Sequence, residues 1–306
     1  MTRPASAPAA DAMHLPGAAA GAPPISASLR RHLPLIYPAV MLGVFFVVPF
    51  GIMLAVSFFH RVEGAFYEPA FELANYARFL TPFFGKALAF SVWISALAAA
   101  IVISVSFPFT YLLTRMRRRT QVGFLVFILA VLSLSEVIIA FSWSSLLSRT
   151  AGVSNLLYFV GLLSQPVAWT PSFGALLVGL CYLCFPYSVL VLYPALSRLD
   201  PELPEASRML GASPLRTFFS VVVPVLRRSI ISALVMMFVF NLGAFLLPQV
   251  LGQPEHWTLS VLITDQAVFQ SNIPFAAAMA VFLMLVCLVL VGLTLMFGQE
   301  RKAAAP

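Results

Sequence analysis

Glu136 is a carboxylate set in an otherwise apolar run, with Ser133, Ala140 and Ser144 on the same face at helical spacing. A charge near the middle of a membrane helix costs on the order of +2.5–3.5 kcal/mol on insertion scales, so it should face a protein interior or a wet cavity. Two uses stay open to it. One is a translocation path that attracts cations; the other is a hydrogen bond between helices, or a protonated glutamic acid. Asn241, in a later apolar run, reads as helix–helix glue. Cys181 and Cys184 form a C-x-x-C, but with no second pair and an apolar setting they read as small helix residues. His14, His32, His60 and His256 are scattered, so neither a catalytic nor a metal site is expected, and no cofactor.

The elements that must position these groups are membrane helices. Of 306 residues, 61% are hydrophobic and 9% charged, against roughly 25% charged in ordinary soluble domains. Lipid accepts such a surface only if the backbone bonds internally, and the apolar runs lack the alternation of barrel strands. An all-α membrane protein with six transmembrane helices follows, with spans at about 33–59, 86–114, 122–147, 171–196, 229–251 and 274–298. Residues 1–28, rich in Ala and Pro, read as a disordered tail, and 29–300 as the membrane domain. The first run is too long for a cleavable signal. If both termini are cytoplasmic, 14 of the 18 Lys and Arg lie inside, leaving Arg61, Arg78, Lys86 and Arg149 outside. The net charge of +7 thus belongs to short loops beside apolar runs, which argues against nucleic acid.

The loop at 197–228 is more than a connection. Asp200 is a good N-cap, Pro201 suits the first helical position, and Glu202 and Glu205 favour the positive end of the helix dipole. Gly211 can take the left-handed conformation that ends a helix, after which Ser213 and Pro214 start another. Leu199, Leu203, Ala206 and Leu210 share one face of the first helix; Leu215, Phe218, Phe219 and Val222 share one face of the second. An apolar face of this kind can also simply rest on the bilayer.

Glu205-Ala206-Ser207, three residues, Gly211, nine residues, then Val221-x-Val223-Pro224 resembles the EAA loop of binding-protein-dependent ABC importer permeases. Ser207 stands where that pattern has Ala. The resemblance implies a type I ABC importer permease fold with a coupling helix-turn-helix that docks on separate ATP-binding cassette subunits. It implies that Glu205, Ala206, Ser207, Arg208 and Gly211 form the coupling site, with small residues for close approach and charges to pair across the interface. It implies, too, a second permease (homologous or identical), an extracytoplasmic solute-binding protein and a bacterial inner-membrane location. The chain has no G-x-x-x-x-G-K-[ST] phosphate loop of its own, and Gly85-Lys86 lacks both the first glycine and the hydroxyl residue.

Over roughly residues 35–298 the similarity runs closest to the spermidine/putrescine branch, through Ser135-Glu136-Val137, Trp143, Leu147, Gly152 and Asn155. Ile138 and Ile139 stand where that branch commonly has an arginine, and related permeases carry iron, thiamine, phosphonates or opines. The expected cargo is therefore a polyamine or related amine, with those others open. The rival from another class is an ATP-independent secondary transporter or channel. It would need inverted repeats and several intramembrane charges, whereas Glu136 alone is found and no repeat. Glu255, His256, Trp257 and Asp265, in an external loop without Lys or Arg, are a candidate receptor-docking surface, with Trp257 equally suited to an interfacial anchor.

The charge split yields a test. A cysteine replacing Arg208 should resist an impermeant thiol reagent added to intact cells and react after permeabilisation. Labelling from outside would invert the topology.

Overall fold

The computed structural model describes residues 37–62, 67–79, 81–150 and 152–299, and side chains as far as 292. The expected tail, 1–28, lies outside the described residues. Two compact units divide between Gly51 and Ile52, and each is taken by itself. Helix α1, Tyr37–Val56, contributes most of its length to the first unit. It is 20 residues long, with a π-helical turn at Gly43–Val47 and Phe46 against Phe50. Almost every residue of it up to Gly51 is exposed, as an apolar helix bordered by lipid can be.

In the second unit the elements are α2 Ala74–Arg78, α3 Pro82–Arg115, α4 Arg118–Leu132, α5 Glu136–Leu146, α6 Val153–Phe159 and α7 Phe173–Ser197. They continue with α8 Glu202–Met209, α9 Pro214–Gly243, α10 Leu246–Leu251, α11 Leu259–Phe269 and α12 Ile273–Gln299. Among the described residues the sole strand-like pairing is an isolated bridge between His60 and Glu68. Thr81 precedes Pro82, which fixes the first turn of α3 without needing a donor. The 34 residues of α3 run about 50 Å at the helical rise, more than a bilayer core requires.

Helices α3, α7 and α9 form the centre. The buried face of α3 is mostly small: Ser91, Ser95, Ala98, Ala99, Val102, Ser106 and Thr110. Lipid tails are as apolar as leucine, so packing between helices comes from close approach, which small residues allow. Ser91 and Thr110 return their hydroxyls to carbonyls one turn back, and Ser91 also accepts the Leu259 amide at 2.7 Å. One apolar cluster joins Ile94 and Ala98 to Ile139, Ala140, Leu176, Leu180, Leu247 and Leu251. A second, toward the loop after α7, joins Val102 and Phe107 to Leu192, Leu196, Val222 and Met237.

Three boundaries differ from the hydropathy reading. The third span is not one helix: α4 and α5 meet at 93° across Ser133-Leu134-Ser135. Its polar stripe is accordingly cut, because Ser133 ends α4 while Glu136 begins α5. The fifth span stops at Gly243, and the residues beyond it form the separate helix α10. At its other end it begins at Pro214, absorbing the second helix of the loop through a π-helical turn at Phe218–Val222.

Packing against α10 is tight at Gly179. A Cβ there would lie 2.6 Å from Leu251 Cδ1 and 3.2 Å from Leu247 Cδ2. Gly179→Val should cost about 1–3 kcal/mol through overpacking, read as a lower thermal midpoint of the solubilised protein. Gly85→Ala, where a Cβ meets nothing within 4 Å, should leave the midpoint unchanged or raise it.

Candidate translocation and coupling sites

The break before α5 sets Glu136 in place. Ser135 caps α5, its hydroxyl accepting the Val137 amide at 3.3 Å, and Glu136 follows in the first turn, where the helix dipole favours a negative charge. Glu136 is therefore not mid-helix, as hydropathy had it, but at the start of a half-helix. Helix α5 packs on α10, Ile139 and Ala140 lying in one cluster with Ala244, Leu247 and Leu251. Oε1 of Glu136 is buried and has no hydrogen-bond partner.

The second break, at Ala244-Phe245, is satisfied from outside its own helix. Ser260 Oγ donates to Leu242 O at 2.6 Å and Thr258 Oγ1 to Ala244 O at 3.5 Å. Asn241, just before this break, is buried, and its Oδ1 accepts the Cys184 thiol at 3.1 Å while its Nδ2 has no partner. The thiol partner of Asn241 was invisible in sequence, because the two residues are 57 positions apart. Ser144, from the former stripe, accepts a weak bond at its carbonyl from Thr170 Oγ1, 3.5 Å away.

The loop between α7 and α9 lies at the other end of the bundle. Asp200 Oδ1 accepts the Glu202 amide at 3.0 Å, opening α8. Gly211 closes it with φ of +87°; its N–H reaches Arg208 O and the Ala212 N–H reaches Ser207 O, as a left-handed C-terminal turn requires. Ser213 then caps α9 by accepting the Arg216 amide at 3.3 Å. Ser207 Oγ lies 3.2 Å from Thr217 Oγ1, tying the two arms together. The hydroxyl that departs from the Ala of the motif thus has an internal use.

The apolar faces expected of this loop are only partly inward. Pro204, Thr217 and Val222 are buried, whereas Leu203, Leu210, Leu215 and Phe219 are exposed with Met209. Periodicity located the apolar side chains but not the surface that covers them. Glu205 and Ala206 are exposed, and Arg208 lines an apolar groove with Phe107, Tyr111, Phe218 and Phe219. The expected external surface also divides: Glu255 is exposed, but Trp257 packs with Phe79, Leu259 and Met279.

A helical membrane bundle with this capped loop is the architecture of an ABC importer permease. The chain belongs to the family of binding-protein-dependent transport system inner membrane components, whose profile matches residues 106–302. It is a membrane permease subunit of an ABC importer, and such a subunit works with ATP-binding cassette subunits and a solute-binding protein. Among curated proteins it is 26% identical over 247 residues to the spermidine/putrescine transport system permease protein PotB of Escherichia coli (strain K12), covering 80% of this chain and 89% of that one. It is 27% identical over 253 residues to the inner membrane ABC transporter permease protein YdcU of the same organism, covering 77% of each. Its fold resembles a chain of a bacterial ABC transporter involved in the import of the acidic polysaccharide alginate, with a TM-score of 0.73 at 18% identity, over 90% of this chain and 98% of that one.

The turn at Gly211 is open, and a Cβ added there would meet nothing within 4 Å, so the penalty for a side chain is in the backbone alone. Gly211→Val should cost ~1–2 kcal/mol or more, loosening the α8 turn without touching the core. Amide exchange across 202–212 should quicken while that of α7 is unchanged; unchanged exchange in both would show the turn to be unstrained.

Proposed function

We propose that this permease imports a polyamine or related amine, with Glu136 in the translocation path and ATP hydrolysed by a separate subunit. The observation that carries it is the Glu136 carboxylate, held at a break between half-helices with Oε1 unpaired. An acidic group in a low-dielectric channel raises the local concentration of cations over anions, and amines supply the N–H donors that an unpaired oxygen lacks. The similarity to the spermidine/putrescine transport system permease protein PotB supports the same cargo class.

Coupling is assigned to Glu205, Ala206, Ser207, Arg208 and Gly211. The exposed Met209 and Leu210 flank the Gly211 turn and give an ATPase groove an apolar anchor, with Glu205 and Arg208 as charges to pair at its rim. A second permease, homologous or identical, completes the path. The charge split supports a cytoplasmic placement of this loop and both termini. The absence of a phosphate-loop motif from the sequence supports a borrowed ATPase.

Glu136→Gln tests the cargo assignment, since it removes the charge and keeps the shape. In the reconstituted importer with saturating receptor, amine uptake should fall at least tenfold while assembly and basal ATPase activity persist. If uptake is retained, Glu136 serves only to join helices.

A further inference from the structure

At the loop end of the bundle, positive charge is left unmatched. Arg115 ends α3, and its guanidinium carbon lies over the Tyr111 ring, 5.1 Å from the centroid. Tyr111 packs on Phe218 at 5.4 Å, and Phe218 on Phe107 at 5.5 Å. These rings line a groove between α3 and α9 that reaches Arg208 and Pro214 at the loop. Phe218 and Phe219 open the π-helical turn of α9, a distortion frequent at functional sites. Among the described residues both ion pairs involve histidine, so neither Arg115 nor Arg208 has a carboxylate partner.

The groove is cationic at one end only. Ile103 also lines it, and from Arg115 back to Ile103 the helix spans about 18 Å. That is close to half of the ~30 Å hydrocarbon core. Ser104, beside Ile103, spends its hydroxyl on Ala100 O at 2.7 Å. The groove holds about 620 Å³, within the ~300–1,000 Å³ of ligand clefts. Guanidinium groups at the loop and an apolar run toward the membrane centre match an amphiphile with an anionic head.

We propose that this groove seats an acyl chain of an anionic phospholipid, with its phosphate against Arg115 and Arg208. Arginine meets phosphate through paired, charge-assisted N–H bonds, and basic pockets between membrane helices on the cytoplasmic side take such head groups. A water-soluble partner such as the ATPase cannot follow the groove to Ile103 inside the bilayer. The first apolar run of a second copy of the chain could. That run, 33–59, holds no Asp or Glu and is preceded by Arg30 and Arg31, which the charge split puts on the loop's side, so it would bring like charge to the arginines. Seated there, the lipid joins the coupling loop to α3, independently of which solute the importer carries.

The test titrates the assembled importer, stripped of lipid in detergent, with phosphatidylglycerol or with phosphatidylcholine of the same chains, and counts bound lipid by native mass spectrometry. Phosphatidylglycerol should bind at least fivefold more tightly. Two exposed groove positions are varied, and Arg208 stays native because it also belongs to the coupling site. Arg115→Gln should weaken phosphatidylglycerol at least fivefold and phosphatidylcholine little, whereas Ser104→Phe, which fills the apolar end, should weaken both. Arg119→Gln, exposed and off the groove, should change neither. Equal affinity for the two lipids, or unchanged phosphatidylglycerol binding in either groove variant, would overturn the proposal. So would an equal loss in Arg119→Gln, which would make the attraction diffuse. Failure of the native importer to bind phosphatidylglycerol would overturn it too, placing a second permease or the ATPase in the groove.

Discussion

Backbone hydrogen bonding inside the bilayer is the constraint on which the rest of this protein depends. A helix that stops within the membrane exposes amides and carbonyls that lipid cannot satisfy, so breaks survive only where protein supplies the partners. Among the described residues the chain breaks twice, before Glu136 and after Gly243, and brings the half-helices beyond the two breaks into one cluster. Ser135, Ser260 and Thr258 supply the missing partners from side chains. The small face of α3 lets α7 and α9 close around them.

A polar group can then be kept in the membrane. Glu136 gains from the first turn of α5, but its Oε1 is left over. Asn241 likewise uses its oxygen on Cys184 and leaves its nitrogen over. Leftover hydrogen-bonding capacity is costly in lipid, and in a permease it is also what a passing solute can use. The fold does not select the sign of the cargo: a similar architecture serves an importer of an acidic polysaccharide. In the proposed function that choice falls to the side chains at the breaks, Glu136 above all.

Much of this was legible in the sequence. Apolar run length located the spans, and cap residues located α8, Gly211 and Ser213 to within a residue or two, because both signals are local. The breaks were not legible. Ser133-Leu134-Ser135 holds neither Gly nor Pro, and its two serines with Glu136 read as a polar stripe on one continuous helix as readily as a helix cap. Nor could periodicity say that Leu203 and Leu210 face outward while Pro204 faces in. Apolar surface in this protein is covered by helices, lipid or partner subunits, and a hydrophobic face does not name its cover.

The central claim is that ATP hydrolysed elsewhere drives a cationic amine past a carboxylate at a helix break. Its most direct test is uptake into proteoliposomes holding the permease pair and its ATPase, with receptor outside and nucleotide inside. The account predicts accumulation of a polyamine that requires hydrolysable ATP and exceeds that of an anionic solute of similar size. Uptake equal with and without ATP, or ATP-driven accumulation of the anion in preference, would contradict it.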